Sequence, residues 1–180
     1  MKSAGFFKNF VEKSPFVLSL LLFLTVTTAS SLGKSQNQIP RPEHPKPQFH
    51  RDTWLNLNGE WNFGFDLGFS GAEKDWPKDG TRLDKKIIVP FCPESKLSGI
   101  GYTNFMNEVC YHRKFTVPEQ WAGMRVFLHF GAVDYDCRAW VNGTGVGRHY
   151  GGSSSFCFEI TSALHDSEND LFVCDLDDVS

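Results

Sequence analysis

Met124-Arg125-Val126-Phe127-Leu128-His129-Phe130-Gly131-Ala132-Val133-Asp134-Tyr135-Asp136, continuing as Cys137-Arg138-Ala139-Trp140-Val141-Asn142-Gly143, is the stretch whose reading decides the fold. Val126, Leu128 and Phe130 alternate with Phe127 and His129, which is the period of a strand buried on one face. Cys137, Ala139 and Val141 repeat that period. Asn142-Gly143 then supplies the positive φ values of a tight hairpin turn. The whole stretch reads as the middle of an antiparallel sheet.

Outward from it, the same signals recur. After the hairpin, glycines at 143, 145, 147, 151 and 152 predict a weak return strand and a close turn. Phe156, Phe158 and Ile160 form another buried face, residues 161–169 leave room for one short helical turn, and residues 171–176 close the domain as a strand. Upstream, Trp61, Phe63 and Phe65 share one face of a strand that follows Asn58-Gly59. Ile87-Ile88-Val89 is a short strand stopped by Pro90, since proline cannot donate to a ladder. Tyr111, Arg113 and Phe115 alternate along a further strand. Between these, residues 66–85 read as a surface excursion and residues 97–107 as a loop over one end of the sheets. No repeat, heptad or long amphipathic helix interrupts the series. Many short strands with glycine and asparagine turns predict an all-β sandwich or jelly roll.

Several segments taken in this order resemble the sugar-binding N-terminal domain of glycoside hydrolase family 2. They are Leu57-Asn58-Gly59-Glu60-Trp61, the Val89-Pro90 segment, Tyr111-His112-Arg113-Lys114-Phe115-Thr116-Val117-Pro118, Phe130-Gly131-Ala132-Val133-Asp134-Tyr135, Trp140-Val141-Asn142-Gly143, Val146-Gly147-Arg148-His149-Tyr150-Gly151-Gly152 and Phe156-Cys157-Phe158-Glu159-Ile160-Thr161. The resemblance covers roughly residues 51–178. It implies a jelly-roll β-sandwich of the galactose-binding-domain-like kind. One departure stands out: Cys110 occupies a position where the family usually has tryptophan.

The N-terminus reads separately. Lys2, Lys8 and Lys13 precede the apolar run Phe16 to Val26, and Thr27-Thr28-Ala29 offers small residues for a peptidase. The run falls short of the roughly 20 apolar residues of a spanning helix. Residues 1–29 are therefore expected to be a signal peptide, residues 30–50 a proline-rich linker and residues 51–180 the folded domain. The mature chain would be secreted or periplasmic, with no membrane segment after cleavage. All five cysteines lie in the mature part, where one disulfide is compatible with the spacing but no disulfide framework is expected. No CxxC or Cys/His spacing suggests zinc, and no cofactor is expected. Mixed charges with a net of −3 exclude an electrostatic argument for nucleic acid.

The resemblance implies that the chemistry belongs elsewhere. Retaining glycosidases need two carboxylates about 5 to 5.5 Å apart. In family 2 both stand on a (β/α)₈ barrel of about 250 residues, for which this chain has no room. No catalytic residue is assigned. Asn107-Glu108 copies the letters of the family's acid/base pair, but it lies in a loop before a sandwich strand and reads as coincidence. Two substrate-binding residues carry over from the larger β-galactosidases: Asn104, in Tyr102-Thr103-Asn104, and an aspartate just past the last strand, Asp178 or its neighbour Asp177. Asn104 bonding its own backbone in a turn is the plainer alternative.

Asn142-Gly143-Thr144 meets the N-glycosylation rule, although the turn alone explains Asn-Gly. Arg148, His149 and Tyr150 offer a polar patch, His129 is a lone strand histidine, and Trp54, Trp61 and Trp140 read as core. The expected partners are carbohydrate and the catalytic barrel of the same enzyme, with the isolated domain inactive. Two alternatives of other classes remain: a stand-alone carbohydrate-binding module, and an exported structural or adhesive domain.

Overall fold

A computed structural model describes residues 39–44, 53–66, 68, 76–78 and 83–177. The expected signal peptide, much of the linker and Asp178 lie outside these described residues.

Among the described residues, eight strands follow in chain order: β1 (Gly59–Phe65), β2 (Lys85–Val89), β3 (Glu108–Thr116), β4 (Phe127–Phe130), β5 (Asp136–Val141), β6 (Thr144–Tyr150), β7 (Phe156–Glu159) and β8 (Glu168–Leu176). They form two antiparallel sheets, one of six strands in the order β2-β1-β3-β8-β5-β6 and one of two, β4-β7. Single 3-10 turns at Lys96–Ser98, Glu119–Trp121 and Thr161–Ala163 punctuate the connections. The last of these is the short helical turn that the sequence predicts.

The alternation read from the sequence sets the faces. Trp61 and Phe63 on β1, Ile87 on β2, Leu171 and Val173 on β8, and Cys137, Ala139 and Val141 on β5 are buried on one face of the large sheet. Leu128 on β4, joined by the partly buried Phe130, Phe156 and Phe158, belongs to the same apolar cluster, so the small sheet covers that face. The approach between β6 and β7 is close enough that a Cβ on Gly147 would overlap the Phe158 ring. Only glycine lets the ring lie flat on the edge strand there.

Three expectations need correction. The organising stretch is not the middle of one sheet: β4 pairs with β7 in the small sheet, while β5 lies inside the large one between β8 and β6. Residues 131–135 carry the chain across the sandwich, and Asp134-Tyr135 is a cis peptide. Gly131-Ala132 breaks the alternation at that point, but period alone does not say which sheet a strand joins. The second correction concerns residues 66–85. Trp76 and Leu83 pack on Cys110, Cys174, Phe172 and Trp140, on the back of the large sheet. That face would otherwise expose an aromatic ring and a disulfide to water. The third concerns the linker. Asn56 and Asn58 donate side-chain bonds to Pro40 O and Arg41 O at 3.2 to 3.4 Å, and His44 meets the Trp54 ring edge-on, so residues 39–44 are bound to the start of the domain.

Cys110 and Cys174 stand directly opposite one another in the β3–β8 ladder and form a disulfide, with Cα atoms 4.2 Å apart. Cys92 and Cys157 are exposed free thiols. Cys137 is a buried filler whose thiol is pushed up to about 12, by burial first and then by Asp175 and Asp136.

Candidate functional site

The hairpin at Asn142-Gly143 marks one end of the sandwich. There the Asn142 side chain is fully engaged: Nδ2 donates to Ala163 O at 2.8 Å and to Asn169 Oδ1 at 2.7 Å, and Oδ1 accepts from the Asp170 N–H at 2.9 Å. Both hydrogens of the nitrogen that a glycan would take are already used. The turn and this network account for the asparagine.

The opposite end is built differently. β3 starts there, β8 ends, β5 starts and β6 ends, so four strand termini meet in one row. Backbone bonds continue the sheet past its strands: Asp177 N–H to Asn107 O at 2.9 Å, Tyr135 N–H to Leu176 O at 3.4 Å, and Gly151 N–H to Tyr135 O at 2.8 Å. The row orders four segments side by side in a rim: 107, 177, 135 and 151.

The loop before β3 roofs this rim. Ser95 caps the 3-10 turn by accepting from the Leu97 N–H, and the buried Ser98 hydroxyl donates to Ser95 O and accepts from the Ile100 N–H. Gly99 ends the turn at φ 84°, a conformation that favours glycine. Tyr102 N–H donates to Pro93 O, and its ring packs on Phe65 with centroids 4.8 Å apart. Past that anchor, Thr103, Asn104 and Phe105 are exposed. The Asn104 amide makes no hydrogen bond among the described residues, so it is not spent on a turn of its own backbone. A shallow open hollow, lined by Phe65, Lys85, Lys86, Gly99, Ile100 and Tyr102, lies beside the anchor.

Carboxylates gather at this end, and their surroundings differ. Asp136, 3 % exposed, receives Arg148 Nε at 2.6 Å and Arg148 Nη2 at 2.5 Å, with Arg138 Nη2 at 3.1 Å. Burial alone would raise its pKa; the bonds from Arg148 and Arg138 outweigh that and hold it below the usual range. Glu108, 4 % exposed, has no cation hydrogen-bonded to it, and the pull of nearby Arg138 on its charge is outweighed. Burial, and then the neighbouring Asp66 carboxyl to which it is hydrogen-bonded, push it up to about 7. On the core face, Asp175 faces Cys137 and Val109 across the ladders. Its Oδ1 has no hydrogen-bond partner among the described residues, and burial followed by Asp134 and Asp177 pushes it up to about 8. Glu108 also lies beside Cys110 and Cys174, a ligand-type trio. The disulfide removes both thiolates from consideration as metal ligands.

The site residues read from the sequence fall as follows. Asn104 lies on the roofing loop and Asp177 in the rim, three residues and one hydrogen bond from one another through Asn107; Asp178 lies outside the described residues. Glu108 of the Asn107-Glu108 pair is a buried strand residue, not an exposed acid. Arg148, His149 and Tyr150 do not make one patch, because alternation on β6 divides them. Arg148 and Tyr150 share a face, with the guanidinium 4.5 Å from the ring centroid, while His149 turns inward and stacks on Phe156 at 4.0 Å. Tyr150, named from the sequence only as part of that patch, lies beside the exposed Tyr135, their centroids 6.3 Å apart and planes at 61°, and Tyr135 escaped the sequence reading. So did Asp175, although a charged residue in phase with Leu171 and Val173 was the available signal.

Residues 55–178 match the family described as glycosyl hydrolases family 2, sugar binding domain. A β-glucuronidase from Bacteroides fragilis is 29% identical over 109 residues, which are 60% of this chain and 14% of that protein. A β-galactosidase from Thermoanaerobacter pseudethanolicus is 41% identical over 54 residues, 30% of this chain and 7% of that protein. Among solved structures, a Lactobacillus rhamnosus β-glucuronidase superposes with a TM-score of 0.62 at 27% identity, over 69% of this chain and 21% of that one. The chain thus spans about a fifth, or less, of the length of each protein it is similar to.

Proposed function

Because the chain belongs to the sugar-binding domain family of glycosyl hydrolases family 2, we propose that it serves a secreted β-glycosidase as the jelly-roll domain that walls one side of the sugar pocket. Hydrolysis of the glycosidic bond is the work of a barrel carrying two carboxylates, against which the roofing loop and rim dock. Asn104 offers its amide to a sugar hydroxyl, and Asp178, next to rim residue Asp177, offers a carboxylate. β-Glucuronides and β-galactosides are the substrate classes suggested by the relatives' names.

The observation that carries this reading is the Asp177 N–H to Asn107 O bond. It draws the loop holding Asn104 and the end of β8 to one rim, although about seventy residues separate them in sequence. Two aspects of the acid–base chemistry support leaving catalysis to a partner. Glu108 is buried, Asp175 is half-buried on the core face of β8, and Asp136 is neutralised by two arginines.

The test is a domain exchange. Residues 55–178 replace the corresponding domain of the Lactobacillus rhamnosus β-glucuronidase, and kinetics follow on an aryl β-glucuronide and an aryl β-galactoside. The chimera should turn over at least one of them, Asn104→Ala should raise KM roughly tenfold, as loss of a hydrogen bond to a polar substrate group does, and the isolated chain should turn over neither. Turnover by the isolated chain, or an Asn104→Ala chimera with unchanged KM, would contradict the proposal.

A further inference from the structure

The rim carries two exposed aromatic side chains that the proposed pocket residues leave unused. Tyr150 is 54% exposed and Tyr135 is 44% exposed. Neither is loose. Arg148 lies over one face of Tyr150 while the Asp136 carboxylate accepts two hydrogen bonds from one edge of its guanidinium, so the ring is backed by a fixed cation. Tyr135 is fixed through its backbone, which donates to Leu176 O and accepts from the Gly151 N–H. With one face of Tyr150 covered, its exposure comes from the opposite face and the ring edge. The two planes, at 61°, make an open corner.

Carboxylates flank that corner. Asp134 precedes Tyr135, and a Cβ on Gly152 would overlap its carboxyl group, so the glycine admits the side chain to the turn after Tyr150. Asp177 stands on the other side, one residue past the Leu176 carbonyl that Tyr135 binds. Asp134 and Asp177 are both exposed. A surface meant for another protein concentrates apolar groups and sheds charge at its centre; here the rim segments that carry the two rings also carry the exposed Asp134 and Asp177. A pyranose meets both demands, with a face of C–H groups for the ring and a girdle of hydroxyls for the carboxylates.

We propose that Tyr135 and Tyr150 form a pyranose-stacking platform, with Asp134 and Asp177 accepting hydrogen bonds from hydroxyls of the same sugar. The ligand class is a neutral pyranose, since two carboxylates at the rim repel a uronate's own charge. The platform adjoins the pocket wall assigned above and would hold a second sugar unit of the glycan. Its ligand class rests on the sugar-binding reading, but its residues are separate from Asn104 and Asp178.

Calorimetric or NMR titration of the full chain with methyl β-D-galactopyranoside, methyl β-D-glucopyranoside and methyl β-D-glucopyranosiduronate tests it. The neutral glycosides should bind in the millimolar range and shift the ring signals of both tyrosines, with the uronate several-fold weaker. Tyr150→Ala should weaken binding roughly tenfold, Tyr150→Phe should stay within about twofold since the ring face remains, and Lys114→Ala, an exposed change at the other end of β3, should leave it unchanged. No shift at either ring with any of the three glycosides would overturn the platform, as would Tyr150→Ala binding like the unaltered chain. Loss of binding in Asn104→Ala with both tyrosine variants unaffected would overturn it too, yet leave the pocket wall standing. If the surface instead docks the barrel, Tyr150→Ala will weaken assembly with a separately supplied barrel and leave glycoside binding at zero, which counts against the platform.

Discussion

Single residues at the two ends of the sandwich hold opposite kinds of order. Asn142 is committed to three hydrogen bonds in the far hairpin, where its φ of 51° suits asparagine. Replacing it by alanine takes away the side-chain partners of Ala163 O and the Asp170 N–H and one of the two donors on Asn169 Oδ1, which then keeps only the His165 N–H, and Asn169 is wholly buried. Asn142→Ala should therefore cost roughly 2 to 3 kcal/mol, read as a shift in urea midpoint at constant slope. A cost below about 0.5 kcal/mol would mean that water replaces the network. Gly147 poses the steric counterpart. Gly147→Ala pushes a methyl into the Phe158 ring and should destabilise by about 1 to 3 kcal/mol. The hairpin was legible in the sequence because Asn-Gly has a single strong local meaning. The Asn142 network was not, since its partners at 163, 169 and 170 lie beyond any local pattern.

Among the elements, β3 and β8 form the spine of the large sheet. Nine residue pairs register between them, and the Cys110–Cys174 bond joins the third pair from the rim end. It closes a loop across a separation of 64 residues, worth about 4 kcal/mol by restriction of the unfolded chain. Reduction, or the double change Cys110→Ala with Cys174→Ala, should lower stability by roughly 2 to 5 kcal/mol without altering the strand order. Amide exchange at Asp177 and Tyr135 reports whether the rim survives. The sequence showed all eight strands through alternation and turn residues, yet it misassigned the partners of the organising stretch. Period tells which face of a strand is buried and is silent on which sheet the strand enters. Likewise, residues 66–85 looked like solvent-facing chain because their polar composition hid two apolar anchors, Trp76 and Leu83.

For the whole molecule, the buried carboxyls set a pH dependence whose sign follows from their directions. Glu108 and Asp175 titrate near 7 and 8 in the fold, above their ordinary values of 4.5 and 3.8. Each stabilises the fold fully below its unfolded pKa, and that contribution is lost as pH rises through the folded value. Asp136 is shifted down, so its contribution is present above its unfolded pKa and fades in stronger acid. The melting temperature should peak in mild acid and fall between about pH 5 and 8, and Glu108→Gln should flatten part of that fall. A melting temperature rising from pH 5 to 8 would show that these carboxyls are solvated. The sequence could name Asn104 and the Asp177-Asp178 pair through family resemblance. It could not show that Tyr135 and Tyr150 stand together at the rim, because they meet only when β5 and β6 pair. The central claim is that this rim, not the hairpin end, faces sugar. Backbone ¹H–¹⁵N shift mapping of the chain with methyl β-D-galactopyranoside tests it most directly. Shifts confined to the amides of Asn104, Tyr135, Gly151 and Asp177 are predicted; shifts clustered at Asn142, Gly143 and Asn169, or none anywhere, would contradict it.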